Sequence, residues 1–202
     1  NKAANENKTE IIFYILYDSQ TIGWHYFHKN DKLKKIAIPS TITDIDRHAF
    51  ENCTSLTHVA LRSSVTTISE GAFYDCTSLE YVTVPSTLES FKEWMFCGCS
   101  SLKEVTIPPS VPSIEEYSLC GCQSLRLLEI PSSVTFIGEC ALKGCSLLTH
   151  LILPSSVKKI EHNAFCNCTS LKSVKLSSSL VSIDESAFEK CESLEQVTIP
   201  SS

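Results

Sequence analysis

The sequence is short of the features that announce most activities. No apolar run approaches about 18 residues, the longest being Ile11 to Tyr17, so no membrane-spanning helix is expected. Only six glycines occur in 202 residues, and none lies in a phosphate-cradling loop. Seventeen lysines and arginines face 23 acids, and the formal net charge of −6 speaks against a nucleic-acid partner. The six histidines, His25, His28, His48, His58, His150 and His162, show neither metal-ligand spacing nor a neighbouring nucleophile, so no metal and no cofactor are expected. No linker or composition break divides the chain, which reads as one folded unit.

What is present instead is a period. Leucines recur every 23 residues at Leu33, Leu56, Leu79, Leu102, Leu125, Leu148, Leu171 and Leu194. A fixed period in that range marks a solenoid, whose coils pack only on their neighbours. In the copy from Leu148 to Ser170, Leu148, Leu151 and Leu153 follow L-x-x-L-x-L, and the alternation from Leu151 to Leu153 predicts a half-buried strand. Pro154 with Ser155 and Ser156 predicts a turn. Val157 and Ile160 point back inside, and Glu161 opens a predicted short helical stretch that buries Ala164 and Phe165. The column of Asn52, Asp75, Gly98, Gly121, Gly144, Asn167 and Lys190 then ends each stretch. Six of these seven are types that tolerate a positive φ.

The register divides the chain into a flexible tail over 1–9 and a single solenoid over 10–202. Within the solenoid, 10–32 is a degenerate capping repeat, 33–193 holds seven 23-residue repeats, and 194–202 is a truncated eighth. Phe13, Ile15, Ile22 and Phe27 keep the register of the full coils, while Tyr14, Tyr17, Trp24 and Tyr26 suit a cap. A start at Asn1 without methionine or a leader reads as a processed form or an excised piece. The stop at Ser202, in the middle of a coil, predicts more repeats or a cap beyond it.

Seven of the 11 cysteines, Cys53, Cys76, Cys99, Cys122, Cys145, Cys168 and Cys191, also lie 23 apart. They are expected to form an interior ladder with about 4.8 Å between coils, each thiol acting as a small hydrophobe with a weak S–H donor. Cys97, Cys99, Cys120 and Cys122 form two C-G-C pairs that invite a zinc reading, but the ladder already assigns Cys99 and Cys122 inward. Cys97 and Cys120 share a column on adjacent coils, where a disulfide is sterically admissible.

Strand residues between the inward ones face out on the concave side. One such column runs His58, Tyr81, Glu104, Leu127, His150 and the next runs Thr83, Thr106, Glu129, Ile152. Nothing in the core requires these residue types, so their variety marks them as candidate protein-binding residues, with Tyr81, Leu127, His150 and Ile152 as an apolar and aromatic patch between Glu104 and Glu129. The acids Asp46, Glu70, Glu93, Glu115, Glu116, Glu139, Glu161, Asp184 and Glu185 repeat with the period as helix-start residues, which argues against paired-carboxylate catalysis. No catalytic residue is assigned.

The repeat C-x-S-L-x-x-(I/V/L)-x-(I/V/L)-P-x-S-(V/L)-x-x-I-x-x-x-A-F-x-x-C resembles the BspA-like, or Treponema pallidum-type, leucine-rich repeats over about residues 10 to 202. Departures include Arg62 and Ser177 for proline, Met95-Phe96 and Ser118-Leu119 for Ala-Phe, and Pro112. The resemblance implies a curved leucine-rich repeat solenoid, with a parallel β-sheet on the concave side and turns and short helices on the convex side. It also implies a non-enzymatic surface protein of the kind that adheres to host matrix or to other cells. The alternative is an intracellular scaffold or regulator of a partner enzyme, suggested by the missing secretion signal and the unpaired thiols.

Overall fold

The computed structural model describes residues 19–199. The expected tail, the positions Phe13, Tyr14, Ile15 and Tyr17, and the last three residues fall outside them. The chain winds into a solenoid in which residues 23 apart lie side by side, and every strand pair is parallel.

Each coil carries up to two very short strands. On the concave side these are β2 (Lys35–Ala37), β4 (His58–Ala60), β6 (Tyr81–Thr83), β9 (His150–Ile152), β11 (Ser173–Lys175) and β13 (Gln196–Thr198). In all but the last, β13, the middle residue is buried and its neighbours are turned outward, as the period-two pleat demands. A second ladder runs through the Val/Ile layer, which the sequence reading placed inside without assigning strands. It comprises β1 (Thr21–Ile22), β3 (Asp44–Ile45), β5 (Thr67–Ile68), β7 (Ser113–Ile114), β8 (Phe136–Ile137), β10 (Lys159–Ile160) and β12 (Ser182–Ile183), with an isolated bridge from Phe91 to Ile114. Its inward column Ile22, Ile45, Ile68, Phe91, Ile114, Ile137 and Ile160 is fully buried.

The expected convex helices are corrected to turns: no helix occurs among the described residues. Two left-handed residues per coil, four apart, explain this. His48 and Asn52 have φ of 54° and 57°, and Asn163 and Asn167 have 56° and 60°. A right-handed helix cannot run through such positions. In its place successive N–H groups alternate between the same coil and the next. Ala49 N donates to Asp46 O at 3.2 Å, Phe50 N to Ala72 O at 2.8 Å, Glu51 N to His48 O at 3.1 Å and Asn52 N to Tyr74 O at 2.8 Å. Backbone polarity is thus satisfied largely by stacking.

The cysteine ladder lies inside these turns. Cys53 Sγ donates to Phe27 O at 3.0 Å, Cys76 to Phe50 O at 3.1 Å and Cys99 to Phe73 O at 3.2 Å, and the pattern continues to Cys191 and Phe165 O at 3.3 Å. The thiols therefore bond to the backbone of the preceding coil while filling the core. Burial drives their pKa values up, to about 11 for Cys53 and well above the usual thiol range for Cys76, Cys122 and Cys145.

Candidate protein-binding face

His58, Tyr81, Thr83, Glu104, Thr106, Leu127, Glu129, His150 and Ile152 are all exposed on the concave side. The pleat explains why: Val59, Val82, Val105, Leu128 and Leu151 between them are buried and leave their neighbours no inward direction. The three large apolar members are well exposed, Tyr81 at 43%, Leu127 at 57% and Ile152 at 66%.

Local contacts fix several of these side chains. Tyr81 packs at 5.3 Å from the His58 ring on the preceding coil, and Lys103 Nζ stands 5.3 Å above its face from the following one. Lys103 also pairs with Glu80, which holds the Glu80 carboxyl below its ordinary pKa. His58 and His150 each place Nδ1 2.9 Å from the hydroxyl of the preceding threonine, Thr57 and Thr149. These contacts hold the side chains in defined orientations.

The register alone does not foretell a lapse in the concave ladder. After β6 only the isolated Tyr81–Glu104 bridge continues it, the coil at 125–130 carries no strand, and pairing resumes with β9 on β11. A shallow groove follows the lapse, lined by Glu104, Thr106, Leu127 and Glu129, and a second lies beside it between Tyr81, Thr83, Glu104 and Thr106. Six of the nine residues thus line these two adjoining grooves, with His150 and Ile152 beyond them on β9 and His58 reached through Tyr81.

With this geometry in hand the family can be read. A model of the BspA type leucine-rich repeat region matches residues 20–148 and 95–202, in six copies. The chain belongs to the BspA-type leucine-rich repeat family. A leucine-rich repeat protein from Bacteroides ovatus is similar to this BspA-type chain at 27% identity and a TM-score of 0.66, covering 88% of this chain and 58% of that one. One from Eubacterium ventriosum is similar at 27% identity and a TM-score of 0.67, covering 78% of this chain and 42% of the other. The chain therefore spans about half the length of these two relatives. The leucine-rich repeat protein of Treponema pallidum shares the fold at 24% identity and a TM-score of 0.57, covering 87% of this chain and 71% of that one. None of the curated proteins matches. BspA-type repeats are protein-interaction modules, and their fold is typically a non-enzymatic one.

The remaining thiols and histidines give two results. All 11 cysteines are free, including Cys97 and Cys120, whose shared column admits a disulfide. A hydrogen bond between these two thiols lowers the pKa of Cys120 and raises that of Cys97. The histidines, which the spacing along the chain keeps apart, include three that meet: His25, His28 and His48 converge on Glu51. Subtracting the period exposes the signal, since His48 follows His25, and Glu51 follows His28, by 23 residues.

Proposed function

We propose that this chain is a recognition or adhesive module that binds another protein through its concave face, centred on Tyr81, Glu104, Leu127 and His150, and that it works at the cell surface or after secretion. The observation that carries the reading is the exposure of Tyr81, Leu127 and Ile152 on one face, where Tyr81 and Leu127 line adjoining grooves together with Glu104 and Glu129. Exposed aromatic and aliphatic side chains interspersed with charged ones on one face suit a binding patch. The surface location and an extracellular-matrix or cell-surface protein as ligand follow from the family's adhesive members. Eleven free thiols favour a second reading, an intracellular scaffold or enzyme regulator using the same face.

The test compares the intact protein with a Tyr81→Ala/His150→Ala variant, and with Leu127→Asp, for retention on immobilised extracellular-matrix proteins and on whole cells. Retention by the parent, lost in the variants at unchanged melting temperature, supports the concave face. Equal retention removes it. Localisation of the full-length product separates the surface reading from the intracellular one.

A further inference from the structure

On the turn side of the first described coils, away from the concave face, four side chains form a two-by-two tile. His25 and His28 come from one coil, and His48 and Glu51 from the same positions of the next. Glu51 Oε2 lies 3.5 Å from His25 Nε2, 3.4 Å from His28 Nδ1 and 3.1 Å from His48 Nδ1. His25, His28 and Glu51 each offer one donor atom, and all three atoms lie within 4.8 Å of one another. The rings of His25 and His28 stack at 4.5 Å, and Trp24 covers His25 at the same distance.

These contacts are poor hydrogen bonds. His28 Nδ1 and His48 Nδ1 are shut off from water yet have no hydrogen-bond partner among the described residues, although the carboxylate oxygen is near. A buried ring nitrogen left without a partner is costly. Atoms that crowd together without pointing at one another are what a ligand set shows, because each lone pair is directed at a shared ion. The separations of Glu51 from His25 and His28 agree: bonds of about 2.0–2.1 Å in a tetrahedral zinc site put ligand atoms about 3.3–3.4 Å apart. Two imidazoles and a carboxylate suit a divalent transition ion better than the all-oxygen sets that calcium or magnesium prefer.

The surrounding backbone makes room for this arrangement. His25 and His48 occupy left-handed positions, with φ of 55° and 54°, a conformation that histidine adopts more readily than most side chains. The next residue in their column is Gly71, where a Cβ would stand 2.6 Å from the His48 ring. The column His25, His48, Gly71 thus seats one imidazole by leaving out the side chain above it.

We propose that His25, His28 and Glu51 bind a divalent transition-metal ion of the zinc type, with His48 packed beside the Glu51 carboxylate. Such an ion ties the turn of one coil to the turn of the next, so that metal affinity becomes folding stability at this end of the stack. The site is independent of the concave face.

The test uses the full chain, stripped with chelator and titrated with Zn²⁺ by calorimetry and with Co²⁺ by absorbance. One equivalent is expected to bind, with a cobalt spectrum free of thiolate-to-metal charge transfer, and to raise the melting temperature. In a His25→Gln/His28→Gln variant with parental circular dichroism, affinity is expected to fall by more than about tenfold. Glu51→Gln, which keeps the side-chain shape, is expected to weaken binding as well. The proposal is overturned by a parent protein that takes up no zinc, by unchanged affinity in either variant, or by a thiolate band that assigns the ion to the cysteines.

Discussion

Phe50 and Phe73 hold their rings 5.1 Å apart and within 6° of parallel, so the rise of the backbone from coil to coil is reproduced by the side chains in the core. The stack extends from Phe27 through Phe96, gives way to Leu119 and Leu142, and resumes with Phe165 and Phe188.

Phe73 lies inside that stack, fully buried, with a ring on each side. Phe73→Ala is expected to cost about 3–5 kcal/mol, and nearest-neighbour coupling spreads the loss to adjoining coils. Urea unfolding measures it, and a loss under about 1 kcal/mol would contradict the interior placement.

Ser118 occupies a column filled by Met95 on the preceding coil and by Ala49, Ala72, Ala141, Ala164 and Ala187 elsewhere, and its buried hydroxyl has no hydrogen-bond partner among the described residues. Ser118→Ala is therefore expected to stabilise the protein by about 1 kcal/mol, since it removes a desolvated polar group without leaving a large void. A lower urea midpoint for the variant would show that the hydroxyl has a partner.

Gly138 has no room for a side chain. A Cβ there would stand 2.8 Å from Glu116 N and 2.9 Å from the Glu115 carbonyl carbon, both backbone atoms of the preceding coil that cannot rotate away. Gly138→Ala is expected to cost about 1–3 kcal/mol through overpacking. At Gly121 the nearest atoms are 3.6 Å from the added Cβ, so Gly121→Ala meets only the strain of its positive φ, 73°. Comparing the two melting temperatures checks the ranking.

Thiol reactivity is expected to be selective. Hydrogen bonding from Cys97, aided by the nearby Lys143, outweighs burial and lowers the pKa of Cys120, which is also partly accessible, while burial raises the ladder thiols. Brief alkylation near neutral pH followed by peptide mass spectrometry should modify Cys120 first. Equal labelling of Cys120 and Cys122 would refute the assignment.

The same burial sets an alkaline limit. Because Cys53, Cys76, Cys122 and Cys145 have folded pKa values raised above the ordinary thiol value of 9.0, the unfolded chain releases their protons first. Their stabilising contribution is complete below that value and drains away as pH climbs toward the folded pKa, about 11 for Cys53. The slope is at most about 1.4 kcal/mol per pH unit for each thiol. Urea midpoints should hold level between about pH 7 and 8 and fall beyond about pH 9; a level midpoint through the alkaline range would mean the ladder is not buried.

Much of this architecture is legible in the chain itself. Val59, Val82 and Leu151 alternate with outward residues in a way only a half-buried strand explains, and Asn52, Gly98 and Asn167 mark left-handed positions that the structure confirms. The left-handed positions four residues earlier are harder to read, because Trp94, Tyr117 and Cys140 in that column are not residues that advertise a positive φ, although Gly71 and Asn163 are. Missing them turned a run of turns into expected helices. The lapse in the concave ladder at 125–130 was equally hidden, since Leu128 and Ile130 keep the inward pattern whether or not the backbone pairs. The meeting of His28 with Glu51 needed only the period, but spacing along the chain cannot show what stacking across coils brings together.

The alternating amides of the turns have one more effect. Lys29 N reaches Glu51 O at 2.8 Å and Asn167 N reaches Glu189 O at 2.8 Å, the same offset of 22 at opposite ends of the molecule. At the turns the junctions are therefore alike, and a duplication or excision of one whole unit in the gene reconnects each of these donors to an equivalent acceptor. A slip by any smaller number breaks the bonds of the coil in which it falls, so the length of such a chain can change in heritable steps of one coil.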